Sequence, residues 1–251
     1  MCELFGISSS RRIAGSALPL AAFRDRGGGC ADNPDGWGMA WRDGVAMRLD
    51  KAPEAAFQSA RCASVIASLS SDLLIAHVRK ARFPPVNTQN NTHPFLHACC
   101  GRIWAFAHNG LVPEIVALEA GSGDQVCRPQ GETDSEFAFC HLLSNVTRHY
   151  SEPEAVWLDE LGEASALIAR HGKFNFLLSD GHYLIAYGHD RLHYLESSER
   201  GEDITLVATE PLSGDAAWMP FEAGEMRIYR DGIRLLRSVN PLRARSDPPP
   251  C

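Results

Sequence analysis

The 251-residue chain has no excess of positive charge, no Cys-x-x-Cys pair, no internal repeat and no apolar run of the ~18 residues that a membrane-spanning helix needs. With 31 Asp and Glu against 24 Lys and Arg the formal charge is −7, so the basic footprint that nucleic-acid or anionic-membrane binding draws on is missing. The expected partner is a small-molecule substrate, with no nucleic acid and no membrane. Lacking Cys-x-x-Cys, the chain shows neither the zinc-ribbon nor the dithiol-redox signature. Its eight cysteines are sparse and irregularly spaced, which favours reduced thiols. His93, His97, Cys99 and Cys100 cluster locally, but Pro94 directly after His93 disfavours helical backbone there, so the set is not read as a metal site. No metal and no cofactor is expected. The opening Met1-Cys2-Glu3-Leu4-Phe5-Gly6 has no basic flank ahead of its short apolar stretch and does not read as a secretory signal; a cytoplasmic protein is expected.

What is present is an ordinary globular composition, 45% hydrophobic and 22% charged, with enough chain for one large domain or two small ones. The pattern predicts a strand over Glu3 to Ser8, a helix near Leu18 to Arg26 and a glycine-rich loop at Gly27-Gly28-Gly29. Asp43-Gly44 between two short alternating runs predicts a hairpin. A helix from about Ala55 to Leu69 precedes a strand at Leu73 to Arg79, and a strand at Ile103 to Ala107 ends in His108-Asn109-Gly110. Thr133-Asp134-Ser135-Glu136 has capping-box spacing at the head of a helix, and a second helix carries Leu158, Leu161, Ala164 and Ile168. Strands then follow to Leu236, with Asp180-Gly181 and Asp231-Gly232 as turns. Sheet, helices and sheet again imply an α+β fold of two packed sheets with helices outside. The tail, residues 238–251, has four prolines and two arginines and is expected to be disordered.

Cys2 is a candidate nucleophile, although a cysteine at the second position is by itself more often incidental. If Met1 is removed, this residue holds a free α-amine beside its own thiol, so nucleophile and base share one residue; the amine, with a reference pKa of ~7.7–8.0, is partly neutral near pH 7. An acyl-transferring cysteine needs donors for an oxyanion, and the Asn109 amide with the Gly110 N–H offers them. Arg79, closing its strand, could clamp a carboxylate with its planar fork. Asp134, in the first turn of its helix, could receive an ammonium, although acidic residues are also favoured there for local reasons.

Met-Cys-x-x-x-Gly, Asp35-Gly36-Trp37-Gly38, His77-Val78-Arg79, Asn91-Thr92-His93-Pro94, His108-Asn109-Gly110 and Gly131 to Glu136 stand in this order along the chain. In that set the sequence resembles the class-II glutamine amidotransferases, N-terminal-nucleophile hydrolases with a four-layer αββα fold. It is most similar to the stand-alone YafJ-type branch, through Met-Cys-Glu-Leu, Asn-Thr-His-Pro-Phe and the Phe174 to Gly181 run. The resemblance covers about residues 2–237 as one amidotransferase domain. It implies Cys2 as nucleophile, Asn109 and Gly110 as oxyanion hole, Arg79 on a glutamine α-carboxylate and Asp134 on its α-ammonium. Arg26, His93 and Trp37 are implied as further substrate-side residues near the nucleophile or in the pocket wall. Large synthase-linked members follow the strand arginine with a Trp-Ala-Thr-His type of segment, whereas Lys80-Ala81-Arg82-Phe83-Pro84-Pro85 stands here.

The resemblance implies glutamine hydrolysis through a Cys2 thioester. The ammonia could serve a separate synthase subunit, since the domain occupies almost the whole sequence. Two alternatives stay open: hydrolysis of another γ-glutamyl amide, and a non-catalytic scaffold on the same fold. Self-association is left open as well.

Overall fold

The computed structural model describes residues 1–120, 126–151, 153–199, 201–214 and 217–239. In chain order the first sheet receives β1 (Glu3–Ala14), β2 (Trp37–Asp43), β3 (Ala46–Ala52) and β4 (Ser70–Val78), with α1 (Leu20–Asp25) and α2 (Ala60–Ser68) between them. A second sheet takes β5 (Phe95–Cys99) and β6 (Arg102–Leu111), then, after α3 (Glu114–Ala120), α4 (Asp134–His149) and α5 (Glu154–Ile168), β7 (Lys173–Ser179) and β8 (Leu184–Gly188). The chain returns to the first sheet for β9 (His193–Glu199), β10 (Glu202–Ala208) and β11 (Met219–Pro220), and ends in the second with β12 (Glu225–Arg230) and β13 (Ile233–Val239). The orders are β11-β9-β10-β1-β4-β2-β3 and β13-β12-β8-β7-β6-β5, antiparallel throughout the registered pairs.

Alternation along β1 explains the layering. Leu4 points into the gap between the sheets beside Ile75, Ala105, Leu177 and Leu184, while Phe5 and Ile7 point outward under α1 and α2 with Phe23, Cys62 and Ile66. On the second sheet Trp104, Phe106, Phe174 and Phe176 pack outward under α4 and α5, against Phe139, Leu143 and Leu161. Strands buried on both faces read as continuous apolar runs, so periodicity alone does not reveal which residues face which layer. The result is helices, sheet, sheet, helices.

The expected elements recur with shifted ends. β1 runs six residues beyond Ser8, and the expected helix at 55–69 divides into a 3₁₀ turn, Ala56–Gln58, and α2, whose N-cap Ser59 accepts from Cys62 N at 3.0 Å. His108-Asn109-Gly110 lies inside β6, where Asn109 pairs with Asn175 and Gly110 with Phe174, and does not follow the strand's end. β5, β11 and α3 had no clear signal. Thr133 caps α4 by accepting from Glu136 N, but Glu136 reaches Gly131 N at 2.7 Å, so the reciprocal half of the expected capping box is redirected.

The cysteine expectation is corrected at one pair: Cys127 and Cys140 form a disulfide. The segment before Thr133 doubles back along α4 and brings together two residues whose separation of 13 carries no motif. Among the described residues Cys2, Cys30, Cys62, Cys99 and Cys100 are free. No helix of the described residues is long and apolar enough to cross a membrane. β13 extends through Val239, two residues into the stretch expected as tail; residues 240–251 of that expectation lie outside the described residues.

Candidate active site

Cys2, Arg79, His93, Asn109, Gly110 and Asp134 line one small cleft at the end of the sandwich where β1 begins and β4 and β6 end. Cys2 and Arg79 come from the first sheet. Asn109 and Gly110 come from the second, and Asp134 opens α4 beside them. Register explains the meeting of the first two: Glu3 pairs with Val78, so the residue before one strand lies next to the residue after the other.

The Cys2 sulfur is half-buried and is held by the backbone of Lys80, whose N–H donates to it at 3.2 Å while the thiol faces Lys80 O at 3.4 Å. Burial pushes the thiol pKa up; the Lys80 N–H and the positive charge of Arg79 pull it partly back. The thiol therefore stays protonated near neutral pH unless a base takes its proton. Met1, exposed at the cleft wall, covers the Cys2 nitrogen as its peptide partner, and Arg191 Nη1 lies 3.6 Å from its sulfur.

Arg79 is only 2% exposed. Its guanidinium donates to Val86 O at 3.0 Å and approaches Asn87 Oδ1 at 3.5 Å. No carboxylate makes an ion pair with it among the described residues, and burial lowers its pKa. Asp134, 3% exposed, accepts from Val112 N at 2.6 Å and Ser135 N at 2.9 Å, both neutral donors. A buried cation without an anion and a buried carboxylate held by neutral donors stand in the same cleft. Such charges are costly to bury unpaired.

Three histidines gather behind these groups. His77 is fully buried and stacks on His93 with ring centroids 4.2 Å apart. Burial, reinforced by Arg79, pushes His77 down to about 3, and His93 also lies well below its usual value through burial. Burial lowers His108 as well, with Asp134 opposing. His108 Nε2 lies 3.1 Å from Lys173 O and Nδ1 lies 2.9 Å from Ser135 Oγ. The carbonyl can only accept, so the proton sits on Nε2 and the Ser135 hydroxyl donates to Nδ1. His108 thereby ties β6 to the first turn of α4, which carries Asp134.

Glycine is required at two points around the cleft. A Cβ on Gly110 would sit 1.8 Å from Lys173 O, and one on Gly38 would sit 2.2 Å from His93 O. The first lets β7 approach β6; the second seats the His93-Pro94 backbone against β2. The Asp35 to Gly38 motif is thus a brace: Asp35 N donates to Arg79 O at 2.9 Å, Arg79 N to Gly36 O at 2.8 Å and Ala81 N to Asp35 Oδ2 at 2.8 Å.

The remaining two substrate-side expectations lie outside the cleft lining. Trp37 is buried in the cluster under α1 and α2, because its place in β2 turns its side chain away from the second sheet. Arg26 forms an ion pair with Glu3, a buried carboxylate next to Cys2, which Asn33 Nδ2 also approaches at 3.4 Å. Of the four soft ligands clustered in the sequence, His93 faces the cleft, His97 bonds Glu136 at 3.0 Å, and Cys99 and Cys100 lie beside Thr147.

Two antiparallel sheets packed within helix layers give the sandwich of the N-terminal-nucleophile hydrolase fold, as in the glutamine phosphoribosylpyrophosphate amidotransferase of B. subtilis, which superposes with a TM-score of 0.71 at 17% identity over 97% of this chain and 50% of that one. The profile of the class-II glutamine amidotransferases matches residues 1–200, and the chain belongs to that family. It is 32% identical to the YafJ protein of Escherichia coli K12 over 94% of this chain and 100% of that one. A crystal structure of a predicted glutamine amidotransferase from Pseudomonas aeruginosa PA01 superposes with a TM-score of 0.70 at 30% identity, covering 94% of this chain and 100% of that chain. The gamma-glutamyl-hercynylcysteine sulfoxide hydrolase of Mycobacterium tuberculosis H37Rv is 28% identical over 74% of this chain and 71% of its own length.

Proposed function

We propose that the protein hydrolyses the side-chain amide of glutamine, releasing glutamate and ammonia through a Cys2 thioester. The observation that carries this reading is the pair Arg79 and Asp134, one buried cation and one buried carboxylate, each lacking an ionic partner among the described residues. An α-amino acid head group supplies both missing charges at once and fixes the side-chain amide toward the thiol.

Removal of Met1 frees the Cys2 amine, which takes the thiol proton. The thiolate attacks the amide carbon, and the carbonyl oxygen becomes an oxyanion received by Asn109 and Gly110. The ammonium of Cys2 returns its proton to the departing nitrogen, the C–N bond breaks and ammonia leaves. Water, deprotonated by the same amine, then attacks the thioester; the C–S bond breaks, and glutamate departs with the thiol restored. The ammonia could pass to a separate synthase subunit.

A second reading, hydrolysis of a larger γ-glutamyl amide, is favoured by the mouth of the cleft. Phe83 and Leu111 line it and are 42% and 41% exposed, an apolar surface that a bulky leaving group would cover. The hydrolase activity named for the M. tuberculosis relative points the same way.

Incubation of the purified protein with glutamine and a panel of γ-glutamyl amides tests both readings by glutamate release. Labelling with 6-diazo-5-oxo-norleucine followed by peptide mapping locates the nucleophile. The expected label lies on the Cys2 sulfur of a chain whose intact mass lacks Met1; label elsewhere, or no glutamate from any member of the panel, rejects the proposal.

A further inference from the structure

Thr209, immediately after β10, is fully buried and bridges the two sheets at the cleft. Its hydroxyl accepts from Leu4 N at 2.9 Å, its own N–H donates to Leu4 O at 3.0 Å, and the same hydroxyl lies 3.2 Å from the side-chain amide of Asn109. Leu4 is two residues from Cys2. One hydroxyl therefore touches both the strand of the thiol and the amide expected to receive the oxyanion.

Counting donors and acceptors fixes what that hydroxyl must do. With Asn109 Nδ2 turned toward Thr209, the oxygen accepts twice, from Leu4 N and from Nδ2, and among the described residues its own hydrogen finds no other acceptor. Asn109 Oδ1 is then buried without a partner. Two polar groups are left unsatisfied in a place where such groups are normally paired. A half-turn of the amide occupies the same volume and pairs the hydroxyl with Oδ1, so that the two NH₂ hydrogens become the groups without a partner. The Thr209 hydroxyl donates to Oδ1, still accepting from Leu4 N, and the NH₂ group takes the position now held by the orphaned oxygen. It is then a donor held ready with no acceptor of its own.

We propose that Thr209 is the positioning residue of the oxyanion hole: its hydroxyl holds Oδ1 of Asn109 so that Nδ2 faces the reacting carbonyl. This rests on the hydrolytic reading above and adds a residue that acts on the reacting carbonyl through Asn109. Thr209→Val keeps the shape and removes the hydroxyl; Thr209→Ser keeps the hydroxyl.

Steady-state glutamate release from the full chain compares wild type, both Thr209 variants, Asn109→Ala and the Thr209→Val/Asn109→Ala double variant. The expected result is a kcat lowered by roughly ten- to hundredfold in Thr209→Val with KM within about twofold, Thr209→Ser within a few-fold of wild type, and no further loss in the double variant beyond Asn109→Ala, which itself loses roughly 10²–10³. A Thr209→Val loss that multiplies in full with Asn109→Ala, a Thr209→Ser as impaired as Thr209→Val, or an unchanged kcat overturns the proposal. Neutron diffraction from the perdeuterated protein reads the orientation directly and needs neither activity nor a variant that folds. Deuterium on Thr209 Oγ directed at Asn109 supports the proposal, and an amide deuterium directed at Thr209 overturns it. Absence of glutamate release from wild type, together with the first deuterium pattern, would reject the hydrolytic reading and leave the hydrogen-bond assignment standing.

Discussion

The two ends of the sandwich hold opposite kinds of polar group. At the end away from Cys2, the hairpin turns border an open hollow larger than the cleft. Its charges are satisfied within the protein. Arg42 pairs with Asp72 at 2.8 Å and donates to Gly181 O at 3.1 Å; Arg102 pairs with Asp180, whose Oδ1 also accepts from His182 N and Tyr183 N. At the cleft end, among the described residues, Arg79 has no carboxylate and Asp134 has only neutral donors. The larger hollow is a finished structure and the smaller one is unfinished. Unpaired buried chemistry, rather than volume, marks the place where a ligand completes the protein.

The comparison is broken most sharply at the thiol. Cys2→Ala is expected to abolish glutamate release altogether while leaving the fold intact, because Cys2 is half-buried and, among the described residues, its sulfur bonds only to the Lys80 backbone. Turnover by a Cys2→Ala protein of confirmed mass would place the chemistry elsewhere.

A crossed pair of substitutions tests the contrast itself. At the paired end, Asp180→Ala leaves Arg102 without its carboxylate and two backbone N–H groups without an acceptor. With Arg102 still reaching water, the cost is that of the stranded N–H groups, about 1–3 kcal/mol of unfolding free energy, with KM unchanged. At the unpaired end, Arg79→Met removes a buried charge that has no ionic partner among the described residues, so urea unfolding should show no loss of stability. Glutamine KM should rise by roughly 10- to 150-fold, the worth of about 1.5–3 kcal/mol for a charge-assisted contact, with kcat little changed. If Arg79→Met instead unfolds the protein with no change in KM, the guanidinium is structural and the difference between the ends disappears.

Much of the candidate site is legible in the sequence, because motif residues are short-range statements about chemistry. Cys2, Arg79, Asn109, Gly110, Asp134 and His93 could be named from the string, and they do line one cleft. What the string does not carry is pairing across large separations. Thr209 meets Asn109 over 100 positions and Leu4 over 205, and a threonine after an apolar strand looks like any other. Trp37 and Arg26 show the reverse: a motif position said nothing about which way β2 faces or that Glu3 captures the guanidinium. His108-Asn109-Gly110 read as a strand end because Asn-Gly favours turns, whereas tertiary pairing with β7 carries the strand through it. The Cys127–Cys140 bridge is of the same kind, a consequence of the chain doubling back rather than of spacing.

The smallest expected effect is a slope, and it concerns the buried histidines of the cleft end. His77 is held neutral by burial first and by Arg79 next, which takes its pKa down to about 3 in the folded protein; in the unfolded chain it returns to ~6.5. Between these values the unfolded chain holds the extra proton. Unfolding free energy therefore rises with pH across that window. The contribution is complete above pH ~6.5 and is lost as pH falls toward 3, at up to about 1.4 kcal/mol per pH unit for this one group. His77→Phe keeps an aromatic ring against His93 and removes the titration. Urea unfolding of both proteins at four pH values from 4.5 to 7.5 should give a wild-type curve steeper in acid than that of the variant, the two running parallel above pH 7. Curves parallel over the whole range would mean that His77 takes up a proton in the folded state as readily as in the unfolded one, and that the cleft end is wetter and better paired than its geometry implies.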